Sequence, residues 1–374
     1  MGDNSSCFIH PVEIANKTIK IKTYFELTFP SFTCEMSISR GELRDKIFSF
    51  PEVDFVSLAM DIFRYQYDHN LIYQKYCQTL KRAKVLSPES VLDIPFLPVS
   101  MFKSHAVQSG NWHPTQIFQS SATGGKPSVH AVRDMSIYFE SFWKCFQRFY
   151  GEWVGSAVVG LLPSYLERKG SSLITMISEL ITQSNDGDSG FYLYNQQELS
   201  YVLIERERQH RKTLLFGVTF ALLDFAKNFR LQLPNTIIIE TGGMKGRGQE
   251  PTREEVHKIL RDQLGVSEVH SEYGMTEMFS QAYMQGSHYF NCPPWLQPVV
   301  REHNDPLSLS TRGKGLLNFI DLANLDTCSF IATDDLGEVH SEREFIVSGR
   351  ADYTEMRGCN LMVTDFFPGQ ATSR

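Results

Sequence analysis

The sequence predicts an α/β protein built from mixed sheets with flanking helices. Short apolar runs rich in β-forming residues alternate along the chain with stretches of helical periodicity, which favours layered strands and helices. The runs lie at 157–162, 236–240, 266–270 and 315–320. Two helical stretches, at 36–82 and 253–264, support the same class.

The stretch 253–264 has the clearest helix signals. Thr252 and Glu255 have the spacing of a capping box, and Gly265 stands where a left-handed residue would end the helix. The predicted buried stripe consists of Val256, Ile259, Leu260 and Leu264. We expect the strand 266–270 to follow at once.

The stretch 36–82 is also predicted to be helical. Its apolar residues recur at helical spacing and should pack against the core. They are Phe55, Leu58, Ala59, Ile62 and Phe63.

Composition limits the class of protein further. The 374 residues are 42% hydrophobic with a net charge of −7, and the basic residues are scattered, so nucleic acid is not an expected partner. The seven cysteines are odd in number and widely spaced, which indicates reduced thiols and a cytoplasmic location. No apolar run approaches the roughly 20 residues that span a bilayer.

The first candidate functional segment is the glycine- and hydroxyl-rich stretch Ser120-Ser121-Ala122-Thr123-Gly124-Gly125-Lys126-Pro127-Ser128. Backbone N–H groups, hydroxyls and a lysine are suited to binding a polyphosphate. A mobile polar surface loop is the alternative for this stretch taken alone. The spacing of a P-loop is missing.

Two further segments follow predicted strands. Gly242-Gly243 comes after 236–240, and Tyr273-Gly274-Met275-Thr276-Glu277 comes shortly after 266–270. Ligands bind at the carboxyl ends of strands in α/β sheets, where a tyrosine ring, a threonine hydroxyl and a glutamate suit a base, a phosphate and Mg²⁺. An ordinary turn is the alternative for each.

A third segment, Thr333-Asp334-Asp335, is expected after a strand. An acidic residue there could accept two hydrogen bonds from a ribose diol. The alternative is an Asp-rich turn.

The order of these segments, completed by Gly349-Arg350-Ala351-Asp352, resembles the motif sequence of the adenylate-forming superfamily. Within it the chain resembles the acyl-protein synthetase (LuxE) family, over about residues 55–362. The segments that carry this closer resemblance are Phe63-Arg64-Tyr65-Gln66, Ile94-Pro95-Phe96-Leu97-Pro98, Phe102-Lys103-Ser104-His105 with Val107, and Arg357-Gly358-Cys359.

The resemblance implies ATP and Mg²⁺ as cofactors and assigns the site residues. Those expected to hold the ATP phosphates are Ser120, Ser121, Thr123, Gly124 and Lys126. Those expected around the nucleoside are Gly242, Gly243, Tyr273 and, for the ribose, Asp335. Thr276 would contact the α-phosphate, Glu277 would bind Mg²⁺, Arg350 would sit at the hinge, and Cys359 would be the acylated thiol.

The residues around Cys359 support this role. Arg357 and Gly358 give a flexible, electropositive setting that would lower the pKa of the thiol, and no other cysteine has such neighbours. Only residues 351–374 follow Arg350, so we expect an activating domain at 1–348 and a hinge with a short tail at 349–374, in place of the mobile C-terminal domain of acyl-CoA ligases.

The phosphate loop departs from the usual pattern of the superfamily. Ala122 stands where a glycine is usual and Gly125 where a threonine is usual, so one hydroxyl donor is lost. The affinity for ATP and the geometry of the metal are the properties that this change would affect.

The resulting prediction is an ATP-dependent enzyme that activates an acid, in the first place a long-chain fatty acid, to acyl-AMP. It then transfers the acyl group to Cys359 for delivery to an acyl reductase that makes aldehyde, as in bioluminescence. The alternatives are an acyl-CoA or carrier-protein ligase resembling the phenylacetate-CoA ligases, and a non-catalytic relative that binds a nucleotide or a partner. An oligomer is possible under each hypothesis.

Overall fold

The computed structural model describes residues 38–80, 88–121, 125–163, 170–242 and 251–351. The helices are α1 (Arg40–Ile47), α2 (Phe55–His69), α3 (Leu71–Thr79), α4 (Met101–Ser104), α5 (Met135–Tyr150), α6 (Ser172–Ser184), α7 (Gln196–Arg208), α8 (Thr219–Asn228) and α9 (Arg253–Leu264). The strands are β1 (Leu97–Pro98), β2 (Gln116–Gln119), β3 (Val129–Val132), β4 (Ala157–Leu161), β5 (Gly190–Phe191), β6 (Thr213–Gly217), β7 (Thr236–Thr241), β8 (Val269–Tyr273), β9 (Ala282–Met284), β10 (Phe290–Asn291), β11 (Leu296–Arg301), β12 (Leu309–Ser310), β13 (Gly313–Asp321), β14 (Phe330–Ser341) and β15 (Glu344–Arg350).

The helical stretch predicted at 36–82 is divided into three helices between Arg40 and Thr79. Asp54 and Asn70 each accept a hydrogen bond from a backbone N–H of the helix that follows, so they act as N-caps and start α2 and α3 separately. The predicted stripe on α2 is confirmed, since all five of its side chains are buried.

Within the described ranges, one large sheet joins thirteen strands and changes character at its middle. On one side, β5, β4, β6, β7 and β8 are parallel neighbours. On the other side, β9, β10, β15, β14, β13, β11 and β12 are antiparallel, and β1 adds in parallel to β14. The change falls between β8 and β9, so the chain segment that joins those two strands lies where the parallel half ends.

A separate hairpin, β2 with β3, is joined to this sheet by aromatic packing. Phe118 of β2 contacts Tyr138 of α5 with ring centroids 4.9 Å apart, and Tyr138 contacts Phe279, beyond β8, at 5.3 Å. Each buried aromatic side chain contributes about 2 kcal/mol through the hydrophobic effect. The hairpin is therefore held close to the segment that follows β8.

The helix predicted at 253–264 is confirmed, with its capping box and with Gly265 at φ 61° after its last residue. Its buried face is different from the prediction, because Ile259 is 40% exposed while His257 is buried. Together with Val256, Leu260 and Leu264, the imidazole of His257 forms the inner surface of α9.

Two strand predictions need correction. The strand expected at 266–270 runs from Val269 to Tyr273, so Tyr273 ends a strand instead of lying in a turn. Ser267 and Glu268 are exposed, and the strand begins only where β7 provides a partner, at Ile238. Likewise Thr333-Asp334-Asp335 lies inside β14, a long strand that is paired on both sides, and not after it.

Candidate active site

The predicted phosphate loop connects the two strands of the β2–β3 hairpin. The backbone N–H of Ser120 donates to the carbonyl of Ser128 at 3.1 Å, and the N–H of Ser128 donates to Oγ of Ser120 at 2.9 Å. Both ends of the loop are thereby fixed, and the hydroxyl of Ser120 is already used as an acceptor. Ser121 and Lys126 are exposed.

The middle of this loop, including Thr123 and Gly124, lies outside the described residues. Gly125 has φ +126°, a conformation that side chains with a Cβ rarely adopt. The departure at Gly125 therefore has a conformational reason.

The two strands that precede the predicted turns, β7 and β8, end side by side. In the parallel pair β7–β8, Thr241 is in register with Glu272. Gly242 therefore lies next to Tyr273 at the carboxyl ends of these two strands. Gly242 is exposed, and Gly243 lies outside the described residues.

Three of the predicted site residues are in direct contact. The hydroxyl of Tyr273 donates to Oδ2 of Asp335 at 2.8 Å, and Nε of Arg350 donates to Oδ1 of the same carboxylate at 3.2 Å. Asp335 and Arg350 are also cross-strand partners of β14 and β15. Burial, and then the charge of Asp335, raises the pKa of Tyr273, so its hydroxyl stays protonated and remains a donor.

The aromatic ring of Tyr273 packs against Phe290, Phe319 and Phe345, with centroids 5.2 to 5.8 Å apart. These contacts and the hydrogen bond to Asp335 hold the ring in one orientation. Its predicted role beside adenine stays a prediction, as does the hinge role of Arg350, the last residue of β15.

Thr276 and Glu277 follow directly and lie near the hairpin. The Glu277 side chain is almost fully buried, and burial raises the pKa of its carboxyl group. The hydrogen bond from Ser128 and the charges of Arg350 and Lys103 act in the opposite direction. Ser128, at the end of the phosphate loop, and the charge of Arg350 thus both act on the Glu277 carboxyl group. We refer to the loop end, Glu277 and the contacting residues Tyr273, Asp335 and Arg350 as the polar cluster.

The fit of Mg²⁺ to this cluster depends on how many protein ligands the ion requires. In the described ranges, no group of three or more His, Cys, Asp or Glu side chains could hold a metal. Mg²⁺ commonly binds through one or two carboxylates together with the phosphates of its substrate and water. Glu277 as a single protein ligand fits that mode.

Cys359 lies outside the described residues, as does the predicted tail from 352 onward. The cysteines that the structure describes, Cys77, Cys145, Cys292 and Cys328, are all buried, and burial raises the pKa of each thiol. Since the thiolate is the nucleophile, these four are poor candidates for acylation.

Glu272, a buried carboxyl group beside the cluster, is not among the residues predicted from the sequence. The hydroxyl of Thr241 donates to its Oε2 at 2.7 Å. Burial raises the pKa of Glu272 to about 7, the hydrogen bond from Thr241 lowers it in part, and the charge of Glu240 raises it. No sequence signal marks Glu272, because its burial comes from the pairing of β8 with β7 and from the packing around that pair.

We expect Glu272→Gln to change how stability depends on pH. In the folded state Glu272 keeps its proton up to about pH 7, against about 4.5 for an ordinary glutamate, so the folded protein binds more protons across that window. Its contribution to the free energy of unfolding therefore decreases as pH rises, by about 3 kcal/mol, and the substitution removes this decrease. Urea unfolding at pH 5 and pH 8 measures it.

The matched control is Glu205→Gln, because this glutamate is 54% exposed on α7. We expect it to follow the unsubstituted protein at both pH values. If Glu272→Gln shifts stability equally at pH 5 and pH 8, the carboxyl group does not titrate in this window.

The fold is that of adenylate-forming ligases, as a comparison with solved structures shows. The structure is similar to that of 2-hydroxyisobutyryl-CoA ligase in an open conformation with 2-HIB-AMP and CoA, with a TM-score of 0.55 and 11% identity over 77% of this chain and 72% of that one. The same ligase in the postadenylation state with R3-HIB-AMP gives a TM-score of 0.55 and 11% identity, over 79% and 68%. The predicted fold class is confirmed.

The sequence comparisons show a similarity to one family. Residues 51–141 match the model of the family "Acyl-protein synthetase, LuxE". The chain is also 22% identical to the "Long-chain-fatty-acid--luciferin-component ligase" of Vibrio harveyi, over 83% of this chain and 87% of that protein. These matches confirm the resemblance to the LuxE family that the motifs indicated.

None of the helices in the described ranges combines the length and the apolarity that crossing a bilayer requires.

Proposed function

We propose that the protein activates a long-chain fatty acid with ATP and transfers the acyl group to its own Cys359. The observation that carries the proposal is the convergence of three distant segments where the sheet changes from parallel to antiparallel. The hairpin that bears the phosphate loop, the turn with Thr276 and Glu277, and the pair Asp335 and Arg350 form one polar cluster.

In this proposal the cluster binds ATP from the phosphates to the base. Ser120, Ser121, Thr123, Gly124 and Lys126 bind the phosphates through backbone N–H groups, hydroxyls and one ammonium. Asp335 accepts hydrogen bonds from the ribose hydroxyls, and Gly242, Gly243 and Tyr273 border the adenine. The contacts of Asp335 with Tyr273 and Arg350 would orient the carboxylate before ATP arrives.

The first chemical step is adenylation. A carboxylate oxygen of the fatty acid attacks the α-phosphorus, the bond to the β-phosphate oxygen breaks, and pyrophosphate leaves. Charge builds on the phosphate oxygens, where Lys126, the hydroxyl of Thr276 and backbone N–H groups would stabilise it. Mg²⁺ bound through Glu277 would supply additional charge stabilisation.

The second step transfers the acyl group. The Cys359 thiol loses its proton, the thiolate attacks the acyl carbonyl carbon, and the bond to AMP breaks. Arg357, two residues away, would favour the thiolate. The thioester keeps the acyl group reactive enough for delivery to a second protein, which we propose to be an acyl reductase that makes aldehyde.

The family match and the name of the Vibrio harveyi relative support the choice of a fatty acid. The related solved structures are CoA ligases, but at 11% identity they support only the fold.

We expect fatty-acid-dependent exchange between ATP and labelled pyrophosphate with the purified full chain and Mg²⁺. A series of straight-chain fatty acids, with phenylacetate and a sample without acid as controls, gives the acid class. Exchange that occurs with fatty acids, but not with phenylacetate or without acid, supports the proposal. Absence of exchange with every acid would indicate a non-catalytic relative, and rapid thioester formation with added CoA would indicate a CoA ligase.

A further inference from the structure

His130 of β3 links the phosphate-loop hairpin to the turn that contains Thr276 and Glu277. Its Nδ1 lies 2.8 Å from the carbonyl oxygen of Thr276, and its Nε2 lies 3.0 Å from Oγ1 of Thr327. The imidazole is fully buried. It stacks on Phe279, with centroids 4.9 Å apart and an interplanar angle of 27°.

The hydrogen-bond partners of His130 determine its tautomer. Burial lowers the pKa of its imidazole to about 4, so the ring is neutral at physiological pH and carries one proton. A carbonyl oxygen can only accept, so Nδ1–H donates to Thr276. Nε2 therefore has no proton and accepts from the hydroxyl of Thr327.

Thr327 is itself firmly held. Its carbonyl oxygen accepts from Nδ2 of Asn70 at 2.9 Å and from Oγ of Ser109 at 2.7 Å. Three residues earlier, at the end of the 3-10 helix Leu322–Asn324, Nδ2 of Asn324 donates to the carbonyl oxygen of Glu277 at 2.7 Å. Two consecutive carbonyl groups of the turn are thus fixed by buried side chains, one from the hairpin and one from the segment before β14.

The position of His130 in β3 matters for the site because the residues just before it in the chain contact the phosphate loop. Two residues earlier in the chain, Ser128 exchanges two hydrogen bonds with Ser120 and forms a hydrogen bond with Glu277. One short segment therefore fixes the end of the phosphate loop and the main chain of Thr276.

We propose that His130 is a positioning residue for adenylation, which holds the Thr276 main chain in register with the phosphate loop. This inference rests on the proposed function, since the side chains it positions are those that would act on the α-phosphate and Mg²⁺. A displacement of about 1 Å in such a group can cost about 100-fold in rate.

Two amide substitutions separate the two hydrogen bonds of His130. In His130→Asn, the side-chain amide reaches the position of Nδ1 and still donates to Thr276. In His130→Gln, the amide reaches the position of Nε2, near Thr327, and the bond to Thr276 is lost. We expect kcat for pyrophosphate exchange to decrease about 10- to 100-fold in His130→Gln, with a smaller change in KM for ATP, and to recover in His130→Asn.

Ser109→Ala is the matched control for a merely structural effect. It removes the bond to the Thr327 carbonyl oxygen and leaves both bonds of His130 in place. We expect a lower Tm, like that of the two His130 variants, with unchanged kcat. Thermal unfolding of all three variants is measured beside exchange.

The inference is overturned if His130→Asn and His130→Gln lose the same kcat, or if the loss of kcat follows Tm in all three variants. Absence of exchange in the unsubstituted protein is a different result, because it overturns the proposed function and the adenylation role of His130 with it.

Discussion

Cys359→Ala is expected to abolish covalent attachment of labelled fatty acid while pyrophosphate exchange continues. Alanine has no nucleophile, whereas the residues proposed for adenylation lie at 120–350 and are unchanged. The measurement is incubation with labelled fatty acid, ATP and Mg²⁺, followed by denaturing electrophoresis. Hydroxylamine treatment of the labelled protein should release the acid, as expected of a thioester.

The controls for this experiment are the other cysteines whose burial does not already disfavour reaction. Cys7 and Cys34 lie outside the described residues, so Cys7→Ala and Cys34→Ala are the matched substitutions. We expect both to be labelled like the unsubstituted protein. Full labelling of Cys359→Ala would contradict the proposed acyl site, and loss of label in one of the controls would identify the cysteine that carries the acyl group instead.

Glu277→Gln should decrease fatty-acid-dependent pyrophosphate exchange on the order of 100- to 1,000-fold, the range seen when a group that stabilises transition-state charge is removed. The amide of glutamine is neutral and has nearly the shape of the carboxylate, so packing is retained. The negative charge that would bind Mg²⁺ is lost. The measurement is the exchange rate at increasing Mg²⁺ concentration. Labelling of Cys359 should fall in parallel, because no acyl-AMP is made.

Glu268→Gln is the control for this substitution. Glu268 precedes β8, at the end of the strand away from Tyr273, and its side chain is 61% exposed. We expect exchange at the rate of the unsubstituted protein. An unchanged exchange rate in Glu277→Gln would show that this carboxylate has no role in adenylation.

Much of the local structure could be predicted from the sequence. The capping box of Thr252 and Glu255, the C-terminal Gly265 and the stripe on α2 depend on residues close together in the chain, and all three are present. Ile259 was assigned to the wrong face of α9, because periodicity alone does not determine where the edge of a buried stripe falls.

The structural positions and the contacts of the site residues could be predicted less well from the sequence. Asp335 was expected after a strand but lies within β14, and its carboxylate is oriented by Tyr273 and Arg350, which are distant in sequence or on the next strand. Glu272 and His130 were missed because their properties come from burial and from partners such as Thr241 and Thr276. The sequence alone does not show which side chains are buried or which distant residues will contact them.

By itself, the sequence determined the α/β class, the resemblance to the acyl-protein synthetases and the segments expected to bind ATP. It could do so because caps, stripes and motifs are set by neighbouring residues. Only the tertiary structure decided that the hairpin, the turn after β8 and the β14–β15 pair meet where the sheet changes from parallel to antiparallel. It also decided that His130 is neutral and oriented, because both properties depend on desolvation and on hydrogen bonds to residues more than a hundred positions away.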